Sequence, residues 1–510
     1  MIISLSVLVI TIIVSGTYAL YKAQLSKNIG VNTTTHGLAY YINYVKGTDI
    51  TAATLNPSTS YEGGVSSDIE FWKKDDSYDI YGKIELTVNT IGTNLSNSPA
   101  LKYAVVNNGN VLKEGSLKGT TSGSKVTILK NLYLEQTKQI YTVYVWLDNS
   151  EELGNISNES LSISVDCTAS LQKEPTAADT IISLYTSAAK VTATNNSITY
   201  NTAPSVSLMN DRLGGTTTDL DGGNIRYYGA NPNNYIYFNC SDYSNQTSST
   251  CETWRIIGVF DGKLKLIKGS QIGTYSWDNK NISIGAEDDR GKNDWTTARL
   301  MKLLNPDDYY INDNNDKDSE GNYLGYSLYY NSASGMCFTD EGVNYSACDF
   351  TSTGIKNDET RNMIAETTYN LGGWNDTGVY PNEIYEYERG TTVYTGRPTT
   401  WTGKIALAYP SDYGYAADLN QCKQTLANYD NSTCTSNNWM KAIITDNGSN
   451  HGWLLTPDSS YSYVAWYSHG NVGEYFTGAA RGAVPVLSLS SKLGIESGDG
   501  SSSNPYKLSA

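Results

Sequence analysis

The sequence predicts a multidomain chain: an apolar N-terminal signal or anchor helix, an all-β sandwich over residues 22–170, and an α+β domain over residues 219–510 held by local disulfides. Three observations predict this. Apolar and polar residues alternate at period two in the first third of the chain. Six cysteines fall into three close pairs in the second domain. A largely apolar stretch, Ile2 to Val14, opens the chain. At 510 residues the chain is also too long for one ordinary core.

Composition narrows the function. Charged residues make up only 17%, and the polar balance is carried by Asn, Ser, Thr, Gly and 41 Tyr, which favours strands and turns. Formal net charge is −16 with no basic run. Nucleic acid is therefore not an expected partner, because phosphate binding needs clustered Lys and Arg. No cofactor is expected.

Residues 1–21 carry the export expectation. The apolar stretch is shorter than the ~20 residues a spanning helix prefers, and Thr17-Tyr18-Ala19 fits a small-x-small cleavage site. No Lys or Arg precedes the apolar run, whereas Lys22 and Lys27 follow it. A cleaved signal and a retained membrane anchor both stay open.

In residues 22–170, Lys83-Ile84-Glu85-Leu86-Thr87-Val88-Asn89 alternates strictly, and Tyr141 to Leu147 repeats the period with large residues on both faces. Asn108-Gly109, between Val105-Val106 and Val111-Leu112, predicts a hairpin turn. Short strands at this spacing predict a sandwich. Cys167 falls on the apolar face of Leu161 to Cys167. It reads as a buried small hydrophobe rather than a catalytic thiol, since no His or cation adjoins it.

Residues 171–218 read as a helix and a linker. After the break at Gln172-Lys173-Glu174-Pro175, Thr176 and Asp179 form a capping-box pattern ahead of Ile181, Ile182, Leu184 and Tyr185. The polar stretch Thr192 to Thr202 follows, then the loop Gly214 to Gly223, which has the look of a connector.

In residues 219–510 the clearest piece is Trp254 to Phe260, then Asp261-Gly262, then Lys263 to Ile267, a hairpin signal. Helices are expected over Trp295 to Leu304 and Asn357 to Tyr369, and strands over Tyr463 to Tyr467 and Val484 to Leu489. Early and late strands are expected to pair. The pairs Cys240/Cys251, Cys337/Cys348 and Cys422/Cys434 each bracket a polar stretch. They read as disulfide staples across loops in an oxidising compartment rather than as zinc ligands. None has metal spacing, and the chain has only three histidines, His36, His451 and His469. Solvated loops are the expected setting for these histidines.

Other chemical patterns are weaker. Trp374-Asn375-Asp376 spells a lectin calcium tripeptide, but its Glu-Pro-Asn companion does not precede it. The acidic run Asp313 to Gly321 has alternate oxygen ligands, yet Ser327 stands at the twelfth position counted from Asp316, where a bidentate Glu is needed. Glu383, Glu386, Glu388 and Asp412 offer carboxylates for glycoside chemistry, which requires a separation that sequence does not give. Tyr385, Tyr387, Trp401, Tyr413, Trp453, Tyr463, Trp466 and Tyr467 crowd the last third, and such aromatics suit sugar or protein surfaces.

Several of these segments resemble a known family. Asp221 to Ala230, Asn233-Asn234-Tyr235, Trp254-Arg255-Ile256-Ile257 and Asn293 to Leu300 are similar to a domain of unknown function common on surface proteins of low-GC gut bacteria. The resemblance continues through Leu371 to Trp374, Trp401 to Leu407, Tyr409 to Ala416, Gly452 to Pro457, Arg481 to Leu489 and Gly498-Asp499-Gly500. It covers roughly residues 219–508, and its closing pattern is similar to C-type-lectin-like and formylglycine-generating-enzyme-like folds. Two departures stand out. Trp453-Leu454-Leu455-Thr456-Pro457 replaces Trp-Leu-Arg-Ser-Pro, and Ala483-Val484-Pro485 replaces a Gly-Val-Arg-Pro ending, with Arg481 lying earlier. Residues 22–170 more weakly resemble camelysin and TasA-type matrix proteins, through Ala19-Leu20-Tyr21 and His36-Gly37-Leu38.

These readings lead to an exported surface protein that binds or displays a glycan or protein ligand without catalysis. The expected contact residues are Tyr387, Trp401, Asp412, Tyr413, Trp453, Trp466 and Arg481. A structural subunit of a matrix or fibre is the alternative, and an enzyme acting on surface glycans the third reading.

Overall fold

The computed structural model describes residues 23–24, 41–51, 55–156, 159–212, 222–278, 290–338, 345–445 and 451–509. The apolar N-terminal stretch, its cleavage motif and His36 lie outside the described residues, within which no helix is long and apolar enough to cross a membrane. The chain divides into two compact units, Met1–Glu174 and Pro175–Ala510.

The first unit is built from β1 (Ile42–Val45), β2 (Val65–Lys73), β3 (Tyr81–Ile91), β4 (Leu101–Asn107), β5 (Asn110–Ser116), β6 (Lys125–Tyr133), β7 (Ile140–Asp148) and β8 (Leu161–Ser170). One sheet runs β1-β2-β7-β4-β5, and the other pairs β8 with β3 and β3 with β6. The two share one core. Period-two patterning puts Ile84, Leu86 and Val88 inside, with Val143, Val145, Ile163 and Val165. Asn108 and Gly109 both take positive φ, 50° and 77°, as a two-residue hairpin turn requires. Cys167 is fully buried in this core, and burial, with Asp166 and Glu85, pushes its thiol well above the ordinary range.

The second unit starts earlier than expected. Its first elements are α1 (Ala177–Ser187), β9 (Val191–Asn195), β10 (Ile198–Ala203) and β11 (Leu208–Asn210). Thr176 caps α1 reciprocally with Asp179, as the sequence pattern predicts. The stretch read as a linker is instead the β9–β10 hairpin, turning at Asn196 and Ser197 with φ 46° and 62°. Its polarity misled because β9 is an edge strand with Val191 and Thr192 exposed, and because the polar Asn195, Asn201 and Thr202 are buried alongside Ala193, Tyr200 and Ala203.

The chain continues with β12 (Ile225–Tyr227), β13 (Tyr235–Phe238), β14 (Glu252–Phe260), β15 (Lys263–Lys268), β16 (Thr274–Ser276) and α2 (Arg299–Leu304). Then come β17 (Ser334–Phe338), β18 (Tyr345–Asp349), α3 (Asp358–Met363), β19 (Thr367–Asn370), α4 (Pro381–Glu388), β20 (Thr400–Gly403), β21 (Ile405–Ala406), α5 (Pro410–Tyr415) and α6 (Ser432–Ser436). The end comprises β22 (Gly452–Pro457), β23 (Val464–Ser468), β24 (Val472–Phe476), β25 (Ala480–Gly482) and β26 (Val486–Ser488). A nine-stranded sheet runs β9-β10-β11-β12-β14-β15-β26-β21, with β13 beside β14. A second sheet runs β16-β25-β22-β23-β24. Early and late strands do pair: Lys265 faces Ser488 and Ile267 faces Val486.

Two helix expectations need correction. Only Arg299–Leu304 of the first is helical, Trp295 to Ala298 forming a turn before it. The second stops at Met363, and Thr367-Thr368-Tyr369 pairs as a strand with Thr402 and Trp401, following its β-branched and aromatic preference.

The three disulfides form as paired in the sequence. Cα–Cα separations are 3.9 Å for Cys240–Cys251, 5.8 Å for Cys337–Cys348 and 4.6 Å for Cys422–Cys434. Local bridges of this kind persist where thiols oxidise. Each closes a short segment, as expected, although two of the pairs anchor on regular elements rather than on loop residues. Cys337 and Cys348 lie on the adjacent strands β17 and β18. Cys434 lies inside α6, a single helical turn whose Asn431 cap accepts the Thr433 amide. Cys422 and Cys434 are both fully buried, in a core cluster with Tyr413, Leu426 and Trp466. The polar residues between them misled, because Ser432 and Thr433 are the solvent side of a turn whose sulfur points inward.

Candidate functional site

The expected contact residues do not share one open groove. Trp401 is 7% exposed and packs among Trp295, Tyr369 and Tyr309. Tyr413 and Trp466 are sealed: Tyr413 Oη donates to the Gly470 carbonyl at 2.6 Å, and Trp466 Nε1 to the Trp374 carbonyl at 3.2 Å. Tyr387 stacks flat on Trp374 at 3.8 Å. Trp401, Tyr413 and Trp466 are therefore packing residues, whereas Tyr387 is half-buried and engaged by its stacking partner. The lectin tripeptide is likewise engaged internally: Asn375 Nδ2 donates to Ser460 Oγ at 2.8 Å, and Asp376 accepts from the Gly378 amide.

Asp412 lies in a buried ion network. Its carboxylate accepts from Arg226 Nη1 at 2.9 Å and pairs with Lys265, while Arg226 also pairs with Asp211. The same carboxylate accepts the Tyr409 amide at 3.0 Å at the start of α5. Burial raises the Asp412 carboxyl, but the Lys265 ammonium and Arg226 guanidinium outweigh it and hold it below the ordinary range. Beside it, Glu388 is fully buried and accepts from the Ser411 amide and hydroxyl and from Arg389. Burial lifts its carboxyl to about 7. Every charge here has an internal partner, so the arrangement holds the module together. The acidic run behaves alike: Asp316 is buried against Arg299 and Lys302, which occupy the oxygens a calcium ion would need.

Trp453 and Arg481 do come together, on the second sheet. Cross-strand partners share a face, so Trp453, Tyr467 and Gly473 line one side, with Ala465 and Tyr475 alongside. On that side the Arg481 guanidinium sits 3.9 Å from the Tyr467 ring, 4.4 Å from Tyr475 and 5.5 Å from Trp453. Gly473 makes room: a Cβ there would meet the Tyr467 ring at 3.1 Å. His451 lies 5.4 Å from Tyr467 and 5.1 Å from His469, and His469 stacks on Tyr467 at 5.6 Å. His469 is exposed, as is Tyr475 at 42%. Tyr413 braces the His469 turn from beneath through the Gly470 carbonyl, and Asn471 Nδ2 anchors it to Ala427.

Arg481 is 8% exposed, yet it has no salt bridge among the described residues and its buried Nε has no hydrogen-bond partner. The other arginines buried to this degree are provided for: Arg226 by Asp211 and Asp412, Arg299 by Asp278 and Asp316, Arg255 by Asn234 and the Pro232 carbonyl. Burial draws the Arg481 guanidinium below its ordinary pKa, while Tyr467 and Tyr475 pull it back. Burial also lowers His469, with His451 and Arg481 adding to it and Asp430 opposing. The patch thus presents a cation with no salt bridge among the described residues, set against two tyrosines and near two imidazoles.

The sequence reading named Tyr467 among the aromatics but missed Tyr475 and His469. The signal lay in alternation: Tyr463, Ala465 and Tyr467 share a parity, and the following hairpin brings Gly473 and Tyr475 opposite them.

No family profile matches the chain, and no curated protein is similar to it. Among solved structures, an acetyl xylan esterase from the rumen bacterium Butyrivibrio proteoclasticus shows 13% identity over 31% of this chain and 34% of that chain, at a TM-score of 0.15. An HCR/D mutant shows 11% identity over 53% of this chain and 76% of that chain, also at 0.15. The match thus spans about a third of the esterase's length. Likenesses this slight carry no argument about activity, and the patch around Arg481 stands on its own geometry.

Proposed function

We propose that this chain is an exported surface protein whose C-terminal unit recognises a sugar ligand without altering it, on the face formed by Tyr467, Tyr475 and His469 around Arg481. The observation that carries the reading is the buried Arg481 guanidinium, which has no salt bridge among the described residues and whose Nε has no hydrogen-bond partner there. Burying a charge costs several kcal/mol unless a partner offsets it. A site serving stability alone would do better with Leu or Met, whereas an external acceptor explains the arginine. Two flanking tyrosines supply broad contact area with few torsions to freeze. Three local disulfides support a location where thiols oxidise.

The test is glycan-array binding by the full chain and by Tyr475→Ala. Tyr475 is exposed, so its removal leaves the core closed. Binding at least tenfold weaker in the variant is expected. Equal binding would remove this face from consideration, and a folded protein that captures no glycan would remove sugar recognition.

One observation favours a second reading, a structural role in a matrix. The strand β5 ends its sheet and exposes Val111 at 43% and Leu112 at 37%, an open edge able to accept another strand. Filaments that form with concentration and vanish in Val111→Lys would favour it.

A further inference from the structure

We infer that the ligand is an acidic sugar whose carboxylate docks on Arg481, a reading that rests on the sugar recognition proposed above and names its chemistry. The guanidinium is a planar fork that matches a carboxylate with two parallel N–H bonds. Its Nε is sealed, so an incoming group meets the Nη edge. Tyr467 and Tyr475, set edge to face, corner the fork at 3.9 and 4.4 Å, so little side-chain freedom is left to lose on binding.

The surroundings favour an anion. Glu474, next to Tyr475, is paired with Trp466 and so belongs to the opposite face of the sheet. Asp430 is the acidic group beside the His469 turn, where a Cβ on Gly470 would lie 3.5 Å from its Cβ. It faces His469 and Gly470 rather than pairing with Arg481. Among the described residues the guanidinium therefore sets the local sign, and protonation of His469 reinforces it. A neutral sugar offers hydroxyl acceptors to the guanidinium but no opposite charge. A carboxylate gains a charge-assisted pair, a type of bond about twice as strong as a neutral one.

The test uses the full chain on an array carrying neutral, sulfated and carboxylate-bearing glycans, followed by titration of the strongest binder and of the same glycan after chemical reduction of its carboxyl to a hydroxymethyl group. Binders confined to the carboxylate class are expected, with reduction weakening affinity at least tenfold in the native chain and less than twofold in Arg481→Gln. Arg481→Lys, which keeps the charge and loses the fork, should fall near Arg481→Gln. Tyr475→Ala guards against misfolding at Arg481: it should weaken the native glycan yet keep the preference for the unreduced form. Neutral glycans bound as tightly as acidic ones, with Tyr475→Ala still harmful, would overturn the acidic assignment and leave sugar recognition standing. Sulfated glycans lacking carboxylates but bound equally would overturn the carboxylate. Binding to no glycan would overturn both.

Discussion

Replacing Asp412 with Asn tests whether the buried ion network holds the C-terminal unit together. The amide is nearly isosteric but keeps one oxygen where the carboxylate uses two, Oδ1 for Arg226 and Oδ2 for Lys265 and the Tyr409 amide, so the change removes the charge and one acceptor. Arg226 keeps Asp211, but Lys265, 5% exposed, loses its carboxylate. Breaking a buried pair from one side costs about 3–5 kcal/mol, because the other charge stays stranded. With a urea dependence of about 3 kcal/mol per M, the unfolding midpoint should drop by roughly 1–1.7 M. Tryptophan fluorescence is the probe, since eight of the ten tryptophans lie in residues 175–510. The double variant with Lys265→Met should recover at least half the loss, giving a coupling energy of about 2 kcal/mol or more. A loss under about 1 kcal/mol, or additive single and double variants, would refute the network's structural role.

Three further outcomes are expected. Glu388, lifted to about 7 by burial against the pull of Arg389 and Ser411, contributes most below its unfolded value near 4.3 and loses that contribution as pH rises toward the folded one. Glu388→Gln should therefore flatten stability between about pH 4.5 and 7, read as urea midpoints across that range. His469 is held below the ordinary imidazole range, so an acidic ligand should bind more tightly as pH falls below that range and the ring gains its proton. His469→Asn should flatten that rise in a pH series of titrations, Asp430 remaining as the opposing charge. Gly473→Val places a branched side chain where a Cβ already meets the Tyr467 ring at 3.1 Å. It should weaken ligand binding about tenfold while shifting the urea midpoint little, and unchanged binding would show that the ring's position is immaterial.

Where the physics is local, the fold was legible in the sequence. Asn108-Gly109, Asp261-Gly262 and the Thr176–Asp179 box are decided within four residues, and each takes the expected conformation. The cysteine pairings are short-range as well, although the helical turn around Cys434 was not foreseen from its Ser and Thr neighbours. The contact surface was not legible, because burial is decided by segments far apart in the chain. Trp466 and Tyr413 sit among small and polar residues, yet the Trp374 carbonyl and the His469 turn close over them. Asp412 meets Arg226 and Lys265 only after three segments converge. The β9–β10 hairpin was hidden because an edge strand, paired with one that buries the polar Asn201 and Thr202, reads like a loop.

The pairing of β15 with β26 sets an order of assembly. The β14–β15 hairpin forms early in the chain, yet one side of it waits for residues synthesised almost last. Cys240–Cys251 and Cys337–Cys348 join neighbours that emerge together, so both can close while β15 still has a bare flank. Maturation thus begins with local stapling and finishes with a lock, and a chain cut short before Val486 would keep its staples while exposing a raw sheet margin to other molecules.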